Sequence, residues 1–339
     1  MSTPVAINAR AAVRREVGGV ERAARELAAR LPALRPGRYR VIAPRPALAH
    51  RRGQAWEQLA LPALARGSEL ILSPANLAPA ASARNVVMIQ DVAPFLGDWY
   101  GSLYSRWHRF VLPRLARRAR LVIAPSEVVR GQLVDLLGAE ESHTRVVPLG
   151  VDEGFADCAD AERAAARHDL QGPYVLAVGT DLPRKNFALL DQVAAPLARE
   201  GLEVVIAGSS RAYMRSTAHT VRSLGYVAEE DLPGLYAGAA AFAMPSVYEG
   251  FGLPCLEAMA CATPVVAADR SSLPETCGEA ALLVDPGDAD AFAQALLTAA
   301  LEPSVRERLV AAGLKRAGRL SWDRTARSMD AVVRELLEP

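Results

Sequence analysis

Tyr248-Glu249-Gly250-Phe251-Gly252-Leu253-Pro254-Cys255-Leu256-Glu257 is the stretch whose reading decides the fold. An apolar run from Ala239 to Met244 precedes it and reads as a buried strand, and Pro245-Ser246 turns the chain outward. Gly250 and Gly252 allow a close backbone approach, and Pro254 suits the first turn of a helix running to about Ala262. The free N–H groups of such a turn, together with the helix dipole, make an anion site. Glu249 and Glu257 lie on opposite sides of that turn, with seven residues between them. A carboxylate among phosphate-binding amides repels phosphate, so hydroxyls are its better partners. Phosphate plus polyol suggests a sugar nucleotide, although the spacing alone also fits an ordinary strand–loop–helix turn with two surface glutamates. The run Gly250 to Cys255 falls one residue short of a dinucleotide fingerprint, and Pro245–Glu249 separate it from the strand that the fingerprint must follow directly.

The paired glutamates resemble the signature of family 4 of the retaining glycosyltransferases. That resemblance implies a GT-B fold, in which two Rossmann-like domains face each other across a cleft. It implies transfer of a sugar from a nucleotide diphosphate donor, with Glu257 on the donor ribose and Glu249 beside the donor sugar and phosphate.

The 339 residues are 51% hydrophobic and 23% charged, which suits a globular α/β chain long enough for two domains. A net charge of +1 provides no global field for nucleic acid. Cys158, Cys255, Cys261 and Cys277 show no paired spacing and read as reduced thiols, so a cytoplasmic location is expected. His50, His108, His143, His168 and His219 are scattered, and no carboxylate cage stands out, so no metal and no cofactor is expected. Asp288-Ala-Asp290 reads as a helix cap. No apolar run reaches the roughly eighteen residues of a membrane span, and the N-terminus reads directly into a strand without a signal-peptide core.

Short apolar runs alternate with helical patterns, which argues for parallel sheets covered by helices. Strands are expected at Val5–Asn8, Tyr39–Ala43, Leu70–Leu72, Val86–Gln90, Leu121–Ala124 and Arg145–Pro148. The pattern restarts with Tyr174–Val178, Val204–Ala207, Ala240–Met244, Val265–Ala267 and Ala281–Val284. Helices are expected at Val20–Leu31, Ser102–Arg118 and Ser126–Leu137, the last with Ser126 as N-cap and Gly138 just beyond its end. Gly150 to Pro173 reads as a linker. The expected domains are residues 1–160 on the acceptor side and 173–320 on the donor-nucleotide side. Residues 321–339 form a C-terminal helix that, in the resembling family, crosses back onto the first domain.

Arg184 and Lys185 are adjacent cations just past a strand, where arginine can grip two phosphate oxygens and lysine adds a point charge. A solvated loop is the plainer account of them. The resemblance makes them the pair holding the donor diphosphate. Gly18-Gly19 opens a helix and permits backbone approach to a phosphate; Ser209 and Tyr226 match loops that run beside the nucleoside. Gly252 and Leu253 supply amides to the diphosphate. Asp91 follows the strong strand Val86–Ile89 and is expected to reach the cleft, or else to cap a loop. The family usually has histidine then aspartate here; this chain has Gln90, which hydrogen-bonds but does not titrate. Gln90 and Asn76 are the acceptor-side candidates. The family commonly has glycine at Ala262, which reads as a packing change. Trp56-Glu57-Gln58, Ser73-Pro74-Ala75-Asn76, Pro148-Leu149-Gly150-Val151-Asp152 and Asp269 to Glu275 continue the match over nearly the whole chain.

Ser102 to Arg120 carries Arg106, His108, Arg109, Arg114, Arg117, Arg118 and Arg120, with Leu103, Trp107, Phe110, Val111 and Leu115 near helical spacing. The plainer reading is a helix with a core face and a solvated basic face. The sharper one is peripheral docking on an anionic inner membrane face beside a lipid-linked acceptor. The expected function is a retaining, metal-independent hexosyltransferase. Its donor is GDP-mannose-like or a UDP-hexose, and its acceptor is a hydroxyl of a glycan or lipid-linked glycan. A non-catalytic sugar-nucleotide or glycan-binding module on the same fold is the alternative, and a nucleotide-sugar epimerase a third reading.

Overall fold

The computed structural model describes residues 4–15, 17–50, 53–155, 160–208 and 220–337. Its strands form two six-stranded, wholly parallel sheets. The first contains β1 (Val5–Asn8), β2 (Tyr39–Ile42), β3 (Ile71–Ser73), β4 (Asn85–Met88), β5 (Leu121–Ala124) and β6 (Thr144–Val146), in the order β2-β1-β3-β4-β5-β6. The second contains β7 (Tyr174–Val178), β8 (Glu203–Ala207), β9 (Arg222–Gly225), β10 (Ala241–Met244), β11 (Val265–Ala268) and β12 (Ala281–Val284), in the order β12-β11-β10-β7-β8-β9. Helices cover the sheets, so β1, β4, β5, β10 and β11 are buried along their whole length. That explains their unbroken apolar runs. β9 is the strand the sequence reading lacks. It is a polar Arg-Ser-Leu-Gly edge, mostly open to solvent, with no apolar run to betray it.

The chain divides into two units, one of residues 1–97, 102–149 and 322–339, the other of residues 98–101 and 150–321. In the first unit, the helix Trp322–Leu337 packs on the helix Gly19–Leu34. Asp330 of the C-terminal helix is buried and accepts from Arg35 Nε at 2.6 Å and Tyr39 Oη at 2.8 Å. Burial, reinforced by that bond, raises the pKa of Tyr39. Asp330→Ala leaves the Tyr39 hydroxyl without its acceptor, at a cost of about 2 kcal/mol. A urea melt of the variant is expected to show that loss. An unchanged midpoint would mean the helix is held by its apolar face alone.

The helix Glu127–Leu137 is capped as its sequence implies: Ser126 Oγ accepts from Val129 N at 3.2 Å, and Gly138 takes a left-handed φ of 69°. In the second unit Asp288 Oδ1 accepts from Ala291 N at 2.9 Å and caps the helix Ala289–Leu301. Ala262 corrects the sequence reading. Its φ is +57°, so glycine at this position answers a backbone demand rather than a packing one. An L-residue there bears about 1–2 kcal/mol of strain. Ala262→Gly is expected to raise stability by up to about 1 kcal/mol after glycine's greater chain entropy, read as an increase in Tm. A lower Tm would contradict the strain argument.

Candidate functional site

The order of the second sheet places β7 beside both β8 and β10, so the connections leaving β7 and β10 diverge there. Ligands of open α/β sheets bind at such a switch point, beyond the carboxyl ends of the strands. The loop after β7 carries Arg184 and Lys185 in a short turn, Pro183–Lys185, closed by Asn186 at a φ of 54°. The loop after β10 carries Glu249, and Val247 N donates to Arg184 O at 2.9 Å, fastening the two loops together.

Sixty-odd residues apart in sequence, three charges therefore meet. Lys185 Nζ lies 2.6 Å from Glu249 Oε1, and Arg184 Nη1 lies 3.1 Å from Glu249 Oε2 and 2.9 Å from Tyr248 O. Lys185 and Glu249 are buried. Burial alone would raise the Glu249 pKa, but the Lys185 ammonium and the Arg184 guanidinium override it and hold the carboxyl at about 2. Lys185 suffers the same burial, and with Arg184 beside it its pKa falls below the ordinary lysine range despite the carboxylate. Two cations and one anion leave the cluster with a net charge of +1, the sign that suits a diphosphate.

The adjoining loop is shaped by its backbone. Ser271 Oγ and Ser272 Oγ both donate to Glu249 O, at 2.7 and 2.9 Å, and Thr276 Oγ1 donates to Phe251 O. Gly252 has φ +99°, and a Cβ there would lie 2.8 Å from Leu273 Cδ2. The helix Leu253–Ala260 begins immediately after it, with Pro254 in its first turn. Gly208, at the end of β8, has φ +152° and no room for a side chain: a Cβ would lie 1.8 Å from Gly179 O. Glu257 follows in the helix Leu253–Ala260. It is buried and accepts from Tyr236 Oη at 2.8 Å, while Thr263 Oγ1 holds the Tyr236 carbonyl at 2.6 Å. Tyr236, Ser271 and Ser272 are the residues sequence reasoning missed as supports. The run from Asp269 to Glu275 was the available signal, but its side-chain-to-backbone bonds are long-range.

The other candidates divide as follows. Tyr226 is 51% exposed just after β9. Ser209 lies outside the described residues, as do Cys158 and His219. In the first unit Gly18 is the N-cap of the helix Gly19–Leu34, and its N–H donates to Glu21 Oε2 at 3.2 Å. Gly19 is exposed. Asp91 Oδ1 accepts from Ala93 N at 3.0 Å, so one oxygen caps its own loop. Gln90 is buried; its backbone N–H donates to Asn76 Oδ1 at 2.6 Å and its Nε2 to Pro74 O at 2.9 Å, tying the loop after β3 to the end of β4. Among the described residues no three His, Cys, Asp or Glu side chains gather as a metal-binding group. Among the same residues no helix is long and apolar enough to cross a membrane.

The helix Ser102–Arg118 departs from its expected faces. Its buried face is Ser105, His108, Val111, Leu112, Leu115 and Ala116. His108 is therefore not on the basic surface, and Leu103 and Phe110, expected in the core, are 80% and 52% exposed. Leu103, Arg106, Phe110, Arg114 and Arg117 recur at three- and four-residue intervals along one exposed stripe. The Arg114 guanidinium lies over the Phe110 ring, 3.5 Å from its centroid. The helix contains no acidic residue.

The two wholly parallel six-stranded sheets are those of an α/β fold of GT-B type. Residues 172–301 match the family described as Glycosyl transferases group 1, and residues 86–155 match Glycosyltransferase Family 4. O-antigen chain mannosyltransferase B of Escherichia coli is 32% identical over 293 residues, covering 81% of this chain and 75% of that protein. The chain belongs to glycosyltransferase family 4. A D-inositol 3-phosphate glycosyltransferase of Actinosynnema mirum is 37% identical over 242 residues, which is 64% of this chain and 57% of the relative. The match thus spans little more than half of that relative's length. Among solved structures, a sucrose-phosphate synthase of Thermosynechococcus elongatus superposes with a TM-score of 0.75 at 22% identity, over 99% of both chains. Anabaena HepE in complex with UDP-glucose gives 0.73 at 18% identity, over 98% of this chain and 99% of that one. At such identities the likeness speaks for the fold.

Proposed function

We propose that the chain is a retaining hexosyltransferase that moves a sugar from a nucleotide diphosphate donor to a hydroxyl of a glycan or lipid-linked glycan. The observation that carries this reading is the Arg184–Lys185–Glu249 cluster, whose net positive charge lies at a strand-end switch point. As the glycosidic bond breaks, negative charge grows on the leaving diphosphate. Arg184, Lys185 and the amides at Gly252 and Leu253 would stabilise that charge, aided by the dipole of the helix Leu253–Ala260. Glu249 orients both cations and would meet the donor sugar; Glu257 would hold the ribose, and Tyr226, Ser209, Gly18 and Gly19 would flank the donor. Asp91, Gln90 and Asn76 are assigned to the acceptor. No side chain is cast as a covalent nucleophile, so a front-face route, with the leaving phosphate accepting the acceptor's proton, fits retention. A mannosyl donor is favoured by the O-antigen mannosyltransferase relative.

The test is incubation of the purified chain with GDP-mannose and UDP-hexoses, with and without glycan acceptors, in excess EDTA. Transfer that persists with the chelator and retains the anomeric configuration is expected. A chain that holds nucleotide sugar without releasing nucleoside diphosphate would be the binding module instead. Isomerised free nucleotide sugar would identify an epimerase.

The exposed Leu103–Arg117 stripe supports a peripheral location at an anionic membrane face. Each arginine near such a surface contributes about 1 kcal/mol, screened by salt. Co-sedimentation is expected with anionic vesicles, not neutral ones, and is expected to fade at high salt. An Arg106→Ala/Arg114→Ala variant should bind about 30-fold more weakly, from roughly 2 kcal/mol lost. Equal partitioning to both vesicle types would leave only a solvated basic face.

A further inference from the structure

Glu257 sits in the middle of the helix Leu253–Ala260, with only 6% of its surface exposed. A glutamate has several rotatable side-chain bonds to order, and burying one without hydrogen bonds is costly. The group that holds this one comes from another element. The helix Leu232–Gly238 carries Tyr236, which is fully buried and donates from Oη to Glu257 Oε2 at 2.8 Å. The tyrosine is itself fixed. Its ring meets Phe155 edge-on, with centroids 6.0 Å apart, and Phe242 at 5.4 Å and 60°. Its carbonyl accepts from Thr263 Oγ1 at 2.6 Å and from Ala239 N at 3.0 Å. Thr263 N in turn donates to Ala258 O at 3.0 Å, one residue beyond Glu257. The bonds therefore form a closed circuit, from Glu257 to Tyr236, from Tyr236 to Thr263, and from Thr263 back to the glutamate's own helix. Ala262, with its left-handed φ, is the turn that carries the chain from that helix to Thr263.

We propose that Tyr236 is a positioning residue for donor recognition: it sets the Glu257 carboxylate in one orientation before the nucleotide arrives, and Thr263 sets Tyr236. The proposal rests on the reading above that Glu257 holds the donor ribose. A carboxylate offers about four lone-pair sites, of which the tyrosine proton uses one, so sites remain for ribose hydroxyls. A glutamate already held binds them without the ordering cost that a free side chain incurs.

In this role Tyr236 acts through Glu257 and not on the nucleotide. A bond that only satisfies a buried carboxylate has a different consequence. Its loss would lower the melting temperature, or weaken every nucleotide alike, whatever hydroxyls the nucleotide carries. Positioning of Glu257 instead makes the loss depend on the ribose hydroxyls.

The experiment is isothermal titration calorimetry of the full chain with GDP and with UDP, each compared with its 2′,3′-dideoxy counterpart. The parent is expected to prefer the ribose form by about tenfold or more, since its hydroxyls meet a charged acceptor. Tyr236→Phe keeps the ring and removes only the hydroxyl. Its ribose preference should fall by about fivefold, the effect of freeing one side chain, while the dideoxy form binds as it does to the parent. Thr263→Val should move the preference the same way and Thr263→Ser should restore it, a test that leaves the Tyr236–Glu257 pair itself untouched. In turnover, Tyr236→Phe should raise the donor KM by more than it lowers kcat, because the ribose contact is already made in the ground state. A parent-like preference in Tyr236→Phe, or equal weakening of both nucleotide forms, overturns the proposal and leaves the ribose assignment standing. A parent that binds nucleotide but ignores the ribose hydroxyls overturns that assignment as well. One that binds neither GDP nor UDP overturns the transferase reading with it.

Discussion

Lys185→Met is expected to lower turnover of the nucleotide-sugar donor by about 10²–10³-fold, the range for loss of one preorganised group that meets developing charge. The argument is electrostatic. In the parent, Arg184 and Lys185 surround one carboxylate and leave a net charge of +1. Without the ammonium, Arg184 and Glu249 cancel, and the diphosphate meets a neutral cluster as its charge grows. Methionine keeps most of the buried volume, so the loss is not a cavity effect. Because the missing interaction strengthens as the bond breaks, kcat and kcat/KM should fall together, with a smaller change in KM. Steady-state release of nucleoside diphosphate reads this, alongside a melting curve for the variant. Parent-like kinetics in a folded Lys185→Met protein would remove Lys185 from the diphosphate site.

Both sheets were legible because their central strands are buried on two faces and so are unbroken apolar runs; Val86–Met88 and Phe242–Met244 show this most plainly. The edge strand β9 was not, since an exposed Arg-Ser-Leu-Gly segment carries no hydrophobic period. Arg184, Lys185 and Glu249 could each be picked out, yet their contact could not. It follows from β7 and β10 being neighbours, and strand order is a long-range property. The helix Ser102–Arg118 was found with its bounds but with three side chains, Leu103, His108 and Phe110, on the wrong face. Leu103 and Phe110 have core chemistry, and only the packing partners decide which apolar residues of a mixed stripe are covered.

The buried carboxylate should also make the protein acid-sensitive in a defined window. Glu249 is held at about 2 in the folded state against an ordinary value of 4.5. Its unfolded form therefore takes up a proton first as pH falls, and the folded form resists until about 2. For a depressed carboxyl the stabilisation is complete above about 4.5, and it is lost progressively as pH drops toward 2. The shift corresponds to about 3 kcal/mol at roughly 1.4 kcal/mol per pH unit. Lys185 acts in the same sense at the alkaline end: its lowered pKa makes the folded state shed a proton before the unfolded one, so stability rises with pH there too. Other carboxylates titrate in the same acid window, Asp285 among them, held low first by its bond from Gly287 N. Glu249→Gln separates their contribution. At neutral pH that variant leaves Lys185 and Arg184 without their counter-charge, and removal of one partner from a buried pair costs about 3–5 kcal/mol. As pH falls from 5 to 2 the parent should lose about 3 kcal/mol more than the variant, so that the two urea-denaturation curves converge. A gap between parent and Glu249→Gln that stays constant across this range would show that Glu249 titrates alike in the folded and unfolded chains. The three-charge cluster would then contribute no acid-dependent stability.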